Sequence, residues 1–249
     1  PGGCLRESRS ATMPTFTTKP LDPTTWPAFA ALVERHNGVW SGCWCMSFHA
    51  EGKPNTRSVA QRRCDKETRV REGRAHAALV YDGETCIGWC QFGPTDELPR
   101  IKHRKQYEAE LKTLPDWRIT CFFTDKAYRG QGVADAGLKG AVEEIRRLGG
   151  GVIESYPEDV AGRKTSSAFL HNGTRAMFER QGFKAMRRLG LHHWVVAQPV
   201  PTKTAATKRA APRGATAKAA ARPSRRPGPK RGKAPSRSAR PSPASPRRG

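Results

Sequence analysis

Residues 127–134, AYRGQGVA, sit between an apolar run, ITCFF, and an amphipathic stretch, DAGLKGAVEEIRRLGG. Two glycines and an arginine where a strand hands over to a helix restrict what the surrounding chain can build. Gly130 and Gly132 permit backbone conformations that a Cβ forbids, and the helix that follows presents unpaired N–H groups and the positive end of its dipole. Such a junction suits an anion, a pyrophosphate above all, with Arg129 adding a forked, charged donor. Glycine-rich junctions also serve plain chain geometry, so the turn alone leaves both uses open. Two nucleotide motifs are set aside: there is no G-x-x-x-x-G-K-[ST], and no G-x-G-x-x-G in an opening βαβ unit.

The flanking pattern fixes the fold class. Ala134, Leu138, Ala141, Val142, Ile145 and Leu148 form one helical stripe. WRITCFFT ahead of the turn and GGVIESY behind the helix predict strands, and AHAALVYDGETCIGWCQFG predicts a hairpin around DGE. Upstream, residues 14–21 predict an opening strand, and TTWPAFAALVERH a helix with Thr25 at its N-cap and Pro27 in its first turn. NTRSVAQRRCDKETRVREGR predicts a polar surface helix and RKQYEAELK a shorter one. TRAMFERQGF predicts a helix closed by Gly182, and LHHWVVAQ a last strand. Strands before, between and after helices give a mixed α/β domain over residues 13–198.

Composition sets the ends. Of the net charge of +23, residues 199–249 carry 15 Lys and Arg against no Asp or Glu, with ten of the twenty prolines and no aromatic residue. A segment this poor in apolar side chains cannot offset its ordering entropy and is expected to be a disordered basic tail. Its charge suits a nucleic-acid phosphate backbone, while the missing aromatics argue against base stacking. Residues 1–12 are expected to be an unstructured extension ahead of Met13. Seven cysteines, an odd number at irregular spacing, point to reduced thiols and a cytoplasmic setting. No apolar run is long enough to span a membrane, and no signal-peptide core opens the sequence.

RGQGVA fits the pattern Arg/Gln-x-x-Gly-x-Gly/Ala. With the strand ahead, the helix and strand behind, and the later FERQGF helix end, the chain resembles the GNAT superfamily of acyl-CoA-dependent N-acetyltransferases. ESYPED and GTRAMFERQGF, with the Cys- and Trp-containing segment near the N-terminus, are similar to a bacterial subgroup of it. The resemblance covers residues 16–198 by order of elements and is specific over residues 117–183. It implies a GNAT fold: a mixed, mostly antiparallel central sheet flanked by helices. It also implies acetyl-CoA as cosubstrate and an amine acceptor that attacks the thioester directly. On this resemblance, the backbone of Phe122, Phe123 and Thr124 would pair with the pantetheine arm. The amides of Gly130, Gln131, Gly132, Val133 and Ala134, with Arg129 beside them, would hold the pyrophosphate.

The chemistry needs a base, because a lysine-like amine with a pKa near ~10 is mostly protonated at neutral pH. The developing oxyanion needs N–H donors, and the leaving thiolate can take a proton. Glu154 is the first candidate base; pairing with a nearby arginine is its alternative role. Tyr156, two residues on, shares its strand face and could donate a proton or bind substrate. Many members of the resembled family carry a tyrosine acid in the last helix, where this chain has Phe178. That leaves Tyr156, His171, no dedicated acid, or an inactive acyl-CoA-binding domain in a nucleic-acid-associated protein. Cys43, Cys45, His49 and Cys64 lack the C-x-x-C pair usual in zinc sites, so they are read as an aromatic and thiol cluster lining an acceptor pocket, with no metal. Cys121 makes an acetyl-cysteine route conceivable, with an inert buried thiol as the default. His192 and His193 point to opposite faces, so one could reach a substrate pocket, with a structural histidine as the default.

Overall fold

The computed structural model describes residues 15–52 and 57–202. The expected N-terminal extension and the tail from residue 203 onward lie outside the described residues. Seven strands run in chain order: β1 (Thr17–Pro20), β2 (His76–Asp82), β3 (Thr85–Pro94), β4 (Trp117–Thr124), β5 (Gly151–Ser155), β6 (Lys184–Leu189) and β7 (His193–Val200). Five helices accompany them: α1 (Trp26–Glu34), α2 (Val59–Arg71), α3 (Arg104–Ala109), α4 (Val133–Arg147) and α5 (Arg175–Arg180). The strands form one sheet in the order β1-β2-β3-β4-β5-β7-β6. Only β4 and β5 are parallel, because α4 crosses over between them; every other pair is antiparallel. This is the mixed, mostly antiparallel sheet with flanking helices that the family resemblance implies.

Each face of the sheet has its own core. On one, Leu138, Ala141 and Ile145 of α4 are fully buried against Ala78, Cys90, Ile119 and Val196. Gly140 lets the helix lie close, since a Cβ there would meet the Thr18 side chain at 2.8 Å. On the other face Phe29, Leu32 and Val33 of α1 pack against Leu79, Trp89 and Phe123, with the Trp89 and Phe123 rings stacked at 4.7 Å. Burying side chains of this size contributes about 1.5–3 kcal/mol each, so Leu138→Ala is expected to cost about 2–5 kcal/mol.

Four details depart from the sequence expectations. Thr25 stands at the N-cap of α1 but makes no capping hydrogen bond; its hydroxyl donates to the Pro20 carbonyl at 2.7 Å. Instead, the Asp22 carboxylate accepts from the Thr24 and Thr25 amides at 2.8 and 3.0 Å. The predicted surface helix α2 starts with a Ser58–Gln61 capping box, yet turns Lys66 and Arg69 inward. Strand β6 has no counterpart among the predicted elements. Its sequence, KAMRRL, alternates exposed and partly buried positions at the sheet edge, where charged side chains discourage further pairing. Finally, β7 runs to Val200, two residues past the expected domain boundary.

Candidate functional site

The parallel ladder between β4 and β5 ends at Ile119 opposite Ser155. Beyond it, residues 120–124 keep only β3 as a strand partner, so the other edge of β4 is free of a strand. The β3–β4 register passes from Phe92 opposite Ile119 to Gln91 opposite Cys121, skipping Thr120. This bulge re-aims the strand: Ile119 and Phe122 face the α4 side, while Cys121 and Phe123 face α1. The 3-10 helix Ser167–Asn172 lies across from this half of β4. Between them opens a cleft of about 280 Å³ lined by Phe122, Phe123, Thr124, Arg129, Ala134, Leu170 and His171, among others.

The glycine turn closes one end of that cleft. Gly130 has φ +74° and Gly132, the N-cap of α4, has φ +86°. A Cβ at either would meet no atom within 4 Å, so the backbone conformation and not crowding calls for glycine. The side chain of Val133 is buried against Val80 and Ile87, leaving its backbone as the part available to a ligand. Gln131 donates from Nε2 to the Ala127 carbonyl at 3.0 Å, and Arg129 is exposed. Asp125 anchors the turn by accepting from the Ala127 amide at 3.1 Å and from Arg35 Nε at 3.0 Å, with His36 Nε2 3.1 Å from its carboxylate. Burial pushes its carboxyl up, but the bonds from His36, the Ala127 amide and Arg35 together hold it below the usual value.

A second cleft, of about 450 Å³, is lined by Trp40, Cys43, Cys45, Phe48, Arg100, Lys102, Cys121 and His171, among others. It shares Trp40 and His171 with the first, and those two rings meet edge-on with centroids 5.2 Å apart. The chain reaches this position through residues 37–45, where Asn37, Val39, Trp40, Ser41, Trp44 and Cys45 all have positive φ. Such conformations cost about 1–3 kcal/mol each and persist where the surroundings over-determine them, often beside functional sites. His171 Nδ1 donates to the Ala168 carbonyl at 3.1 Å, which leaves Nε2 as the acceptor. Burial pulls its pKa below the ordinary imidazole value.

Glu154 and Tyr156 come together, but on neither cleft. The Tyr107 hydroxyl, from α3, donates to Glu154 Oε2 at 2.8 Å, and the Tyr156 hydroxyl reaches the same oxygen at 3.3 Å. Tyr156 is 1% exposed, and burial first, with the Glu154 charge adding to it, pushes its phenol well up against the opposing pull of Arg118. Phe178 is fully buried edge-on to Phe122 and Phe183, at 5.8 and 5.0 Å, as part of the α4-side core. His193 is structural: its Nδ1 donates to the Tyr156 carbonyl at 3.1 Å and its Nε2 lies 3.1 Å from Glu158. Among the described residues, no three His, Cys, Asp or Glu side chains are placed to share a metal ion. Sequence reasoning missed the bridging position of Trp40 and His171, since only the tertiary fold carries residues 37–45 up to the 3-10 helix.

Comparison with known proteins agrees with this geometry at the level of family. The model of the acetyltransferase (GNAT) family matches residues 43–183. Among solved structures, the chain is similar to a histone acetyltransferase HPA2-related acetyltransferase from Corynebacterium glutamicum: 18% identity, 76% of this chain and 99% of that one, TM-score 0.43. It is similar to an acetyltransferase from Thermus thermophilus at 15% identity, covering 76% and 99% of the two chains, TM-score 0.42. The putative acetyltransferase yncA from Salmonella typhimurium, solved with its cofactor acetyl-CoA, is 16% identical over 74% of this chain and 94% of that one, TM-score 0.42. A search of curated protein sequences finds no match.

Proposed function

The chain belongs to the GNAT acetyltransferase family, and on that premise we propose that it transfers an acetyl group from acetyl-CoA to an amine entering through the second cleft. The observation that carries this is the strand-free edge of β4, which runs into the open, glycine-rich N-terminus of α4 along one cleft wall. That arrangement fits the cosubstrate. The backbone of Phe122, Phe123 and Thr124 would take the pantetheine amides as a further strand would. The N–H groups of Gly130, Gln131, Gly132, Val133 and Ala134, aided by the Arg129 guanidinium, would take the pyrophosphate. Acetyl-CoA supplies the activated thioester; the chain supplies position, donors and a base.

The two clefts meet at Trp40 and His171, so the thioester carbonyl and the acceptor nitrogen would meet there. His171 fits the task of base: neutral at pH 7, its Nδ1 proton committed to Ala168, its Nε2 lone pair free. The amine then attacks the thioester directly, unpaired N–H groups of β4 stabilise the oxyanion, and the coenzyme leaves as a thiolate. Glu154 and Tyr156 would reach an acceptor only if Tyr107 moved off the Glu154 carboxylate, so their hydrogen bonds favour His171. On charge alone, the Lys- and Arg-rich residues beyond 202 are assigned to a nucleic-acid phosphate backbone.

The test is coenzyme A release by the full chain from acetyl-CoA, with lysine peptides, free N-terminal peptides, polyamines and aminoglycosides as acceptors. Amine-dependent release, with the acetyl group found on the acceptor nitrogen, is the expected result. Acetyl-CoA left intact with every one of these amines, by a chain that also fails to bind it, contradicts the proposal.

A further inference from the structure

The charge on the walls of the second cleft limits the amines it can take. Among the described residues that line it, Arg100 and Lys102 are basic and none is Asp or Glu. The acids on the neighbouring segments are engaged elsewhere. Glu51, just past the wall formed by residues 40–48, lies 2.6 Å from Arg69 Nη2. Glu158, whose amide bonds the Gly173 carbonyl just after the 3-10 helix, faces His193 at 3.1 Å and Arg163 at 3.4 Å. Neither Arg100 nor Lys102 makes an ion pair among the described residues.

Arg100 is held in place as well as uncompensated. Its amide donates to the Phe48 carbonyl at 3.2 Å, and its Nε donates to the Ser47 carbonyl at 3.2 Å. The guanidinium is thus tied at Nε, while its two Nη groups have no partner among the described residues. Phe48, on the same anchor, puts its ring 6.1 Å from that of His171, the base proposed above. The other walls are aromatic, thiol and aliphatic, with Trp40, Cys121 and Ile101 among them. A volume of about 450 Å³ falls in the range of about 300–1,000 Å³ usual for small-molecule pockets.

A guanidinium with free N–H groups matches the oxygens of a carboxylate or a phosphate. Two uncompensated cations beside apolar walls also raise the energy of a further positive charge on the acceptor and lower that of a negative one. Polyamines and aminoglycosides carry several positive charges and no anion, so this cleft disfavours them. The same cations disfavour an ammonium, which favours the neutral amine that attacks.

We propose that the acceptor is a small amine that also carries an anionic group, a carboxylate or a phosphate, on an apolar or aromatic body. Arg100 and Lys102 hold the anion, Trp40 and Phe48 flank the body, and the amine nitrogen meets His171. An amino acid with an apolar side chain is the simplest molecule of this kind. Arg100 and Lys102 set specificity and do not touch the reacting atoms. This inference rests on the acetyltransferase reading and narrows it.

The experiment compares coenzyme A release by the full chain across matched amines. The pairs are phenylalanine with phenylalaninamide, 6-aminohexanoate with hexylamine, and phosphoethanolamine with ethanolamine; spermidine is the polycation. At least one anionic member is expected to exceed its neutral partner in kcat/KM by about tenfold or more, with spermidine poorest. The carboxylate and phosphate pairs tell the two anions apart. Arg100→Ala is expected to cut that ratio by about tenfold or more, chiefly through KM, and Lys102→Ala, at an exposed position, to cut it less. Both amines of a pair are measured on the same variant, so a general loss of fold or activity does not move the ratio. No anionic amine preferred over its partner, spermidine preferred over all, or a ratio unchanged in both variants overturns the proposal. If no amine is acetylated, calorimetric titration of the same amines into the coenzyme A-saturated chain decides: heat with an anionic amine, weakened in the variants, supports the proposal, and no heat overturns it. Acetyl-CoA calorimetry on the same sample reports separately whether the acetyltransferase reading has failed.

Discussion

Replacing Glu154 with glutamine separates a structural carboxylate from a catalytic one. In the fold, its Oε2 accepts from Tyr107 at 2.8 Å and Tyr156 at 3.3 Å, and the residue is only partly exposed. Hydrogen bonds to a charged group contribute about 1.5–3 kcal/mol, neutral ones about 0.5–1.5. The glutamine carbonyl can still accept one or both phenols, so the expected loss is the difference, about 1–2 kcal/mol in all. For a domain of this size that lowers Tm by roughly 2–8 °C, at about 2–4 °C per kcal/mol. A general base, by contrast, contributes about 10²–10⁴ in rate. The assay therefore pairs thermal unfolding with kcat, measured well below the midpoint, for Glu154→Gln and Tyr107→Phe. The expected result is two destabilised proteins whose kcat stays within a few-fold of the parent. A drop of a hundredfold or more in Glu154→Gln, with the fold intact, would refute this reasoning and return the base to Glu154.

Other residues give sharper signatures. His171→Asn is expected to lower kcat by about 10²–10⁴ and to remove the acid limb of the pH profile. That limb should lie below the ordinary imidazole value, because the folded pKa is depressed and the ring acts while neutral; an unchanged profile contradicts the assignment. Phe178→Tyr puts a hydroxyl among Phe122 and Phe183, which is expected to cost about 1–3 kcal/mol of stability without raising kcat; a faster enzyme would show that an acid was missing there. His49 is held neutral in the fold, chiefly by burial and then by Lys66, with its pKa pulled down to about 2. Its stabilising contribution is therefore full above the unfolded value of about 6.5 and is lost as pH falls toward 2, at up to about 1.4 kcal/mol per pH unit. Denaturant unfolding at pH 7 and pH 5 should show a smaller stability loss in His49→Gln than in the parent; equal losses would count against a neutral buried ring.

What the sequence revealed, and what it hid, follows from the range of each interaction. The β2–β3 hairpin, the α4 stripe and the glycine turn are written in local periodicity and in two residues that need positive φ, so they are legible. Edge strand β6 is not, because KAMRRL spends its alternation on charged residues. The bulge at Thr120, which swings Cys121 to the opposite face from Ile119, comes from pairing with β3 and leaves no mark in WRITCFFT. Lys66 reads as one more charge on a polar helix; only the fold buries it and turns it toward His49. Glu154 stands where a base was expected along the chain, and Tyr107, 47 residues earlier, covers it. His171 was visible as a titratable residue but not as the point where two clefts meet.

The central claim is that the free edge of β4 and the glycine turn of α4 hold acetyl-CoA. Calorimetric titration of the reduced full chain with acetyl-CoA, beside Arg129→Ala, tests it most directly. Arg129 is exposed, so its removal should leave the fold within about 0.5 kcal/mol of the parent. Losing one charge-assisted bond to phosphate should weaken binding by about 1.5–3 kcal/mol, roughly ten- to 150-fold in Kd. One-to-one binding by the parent, weakened to that extent in the variant, is the predicted result. A folded parent that gives no heat with acetyl-CoA, or a variant that binds it equally well, would contradict it.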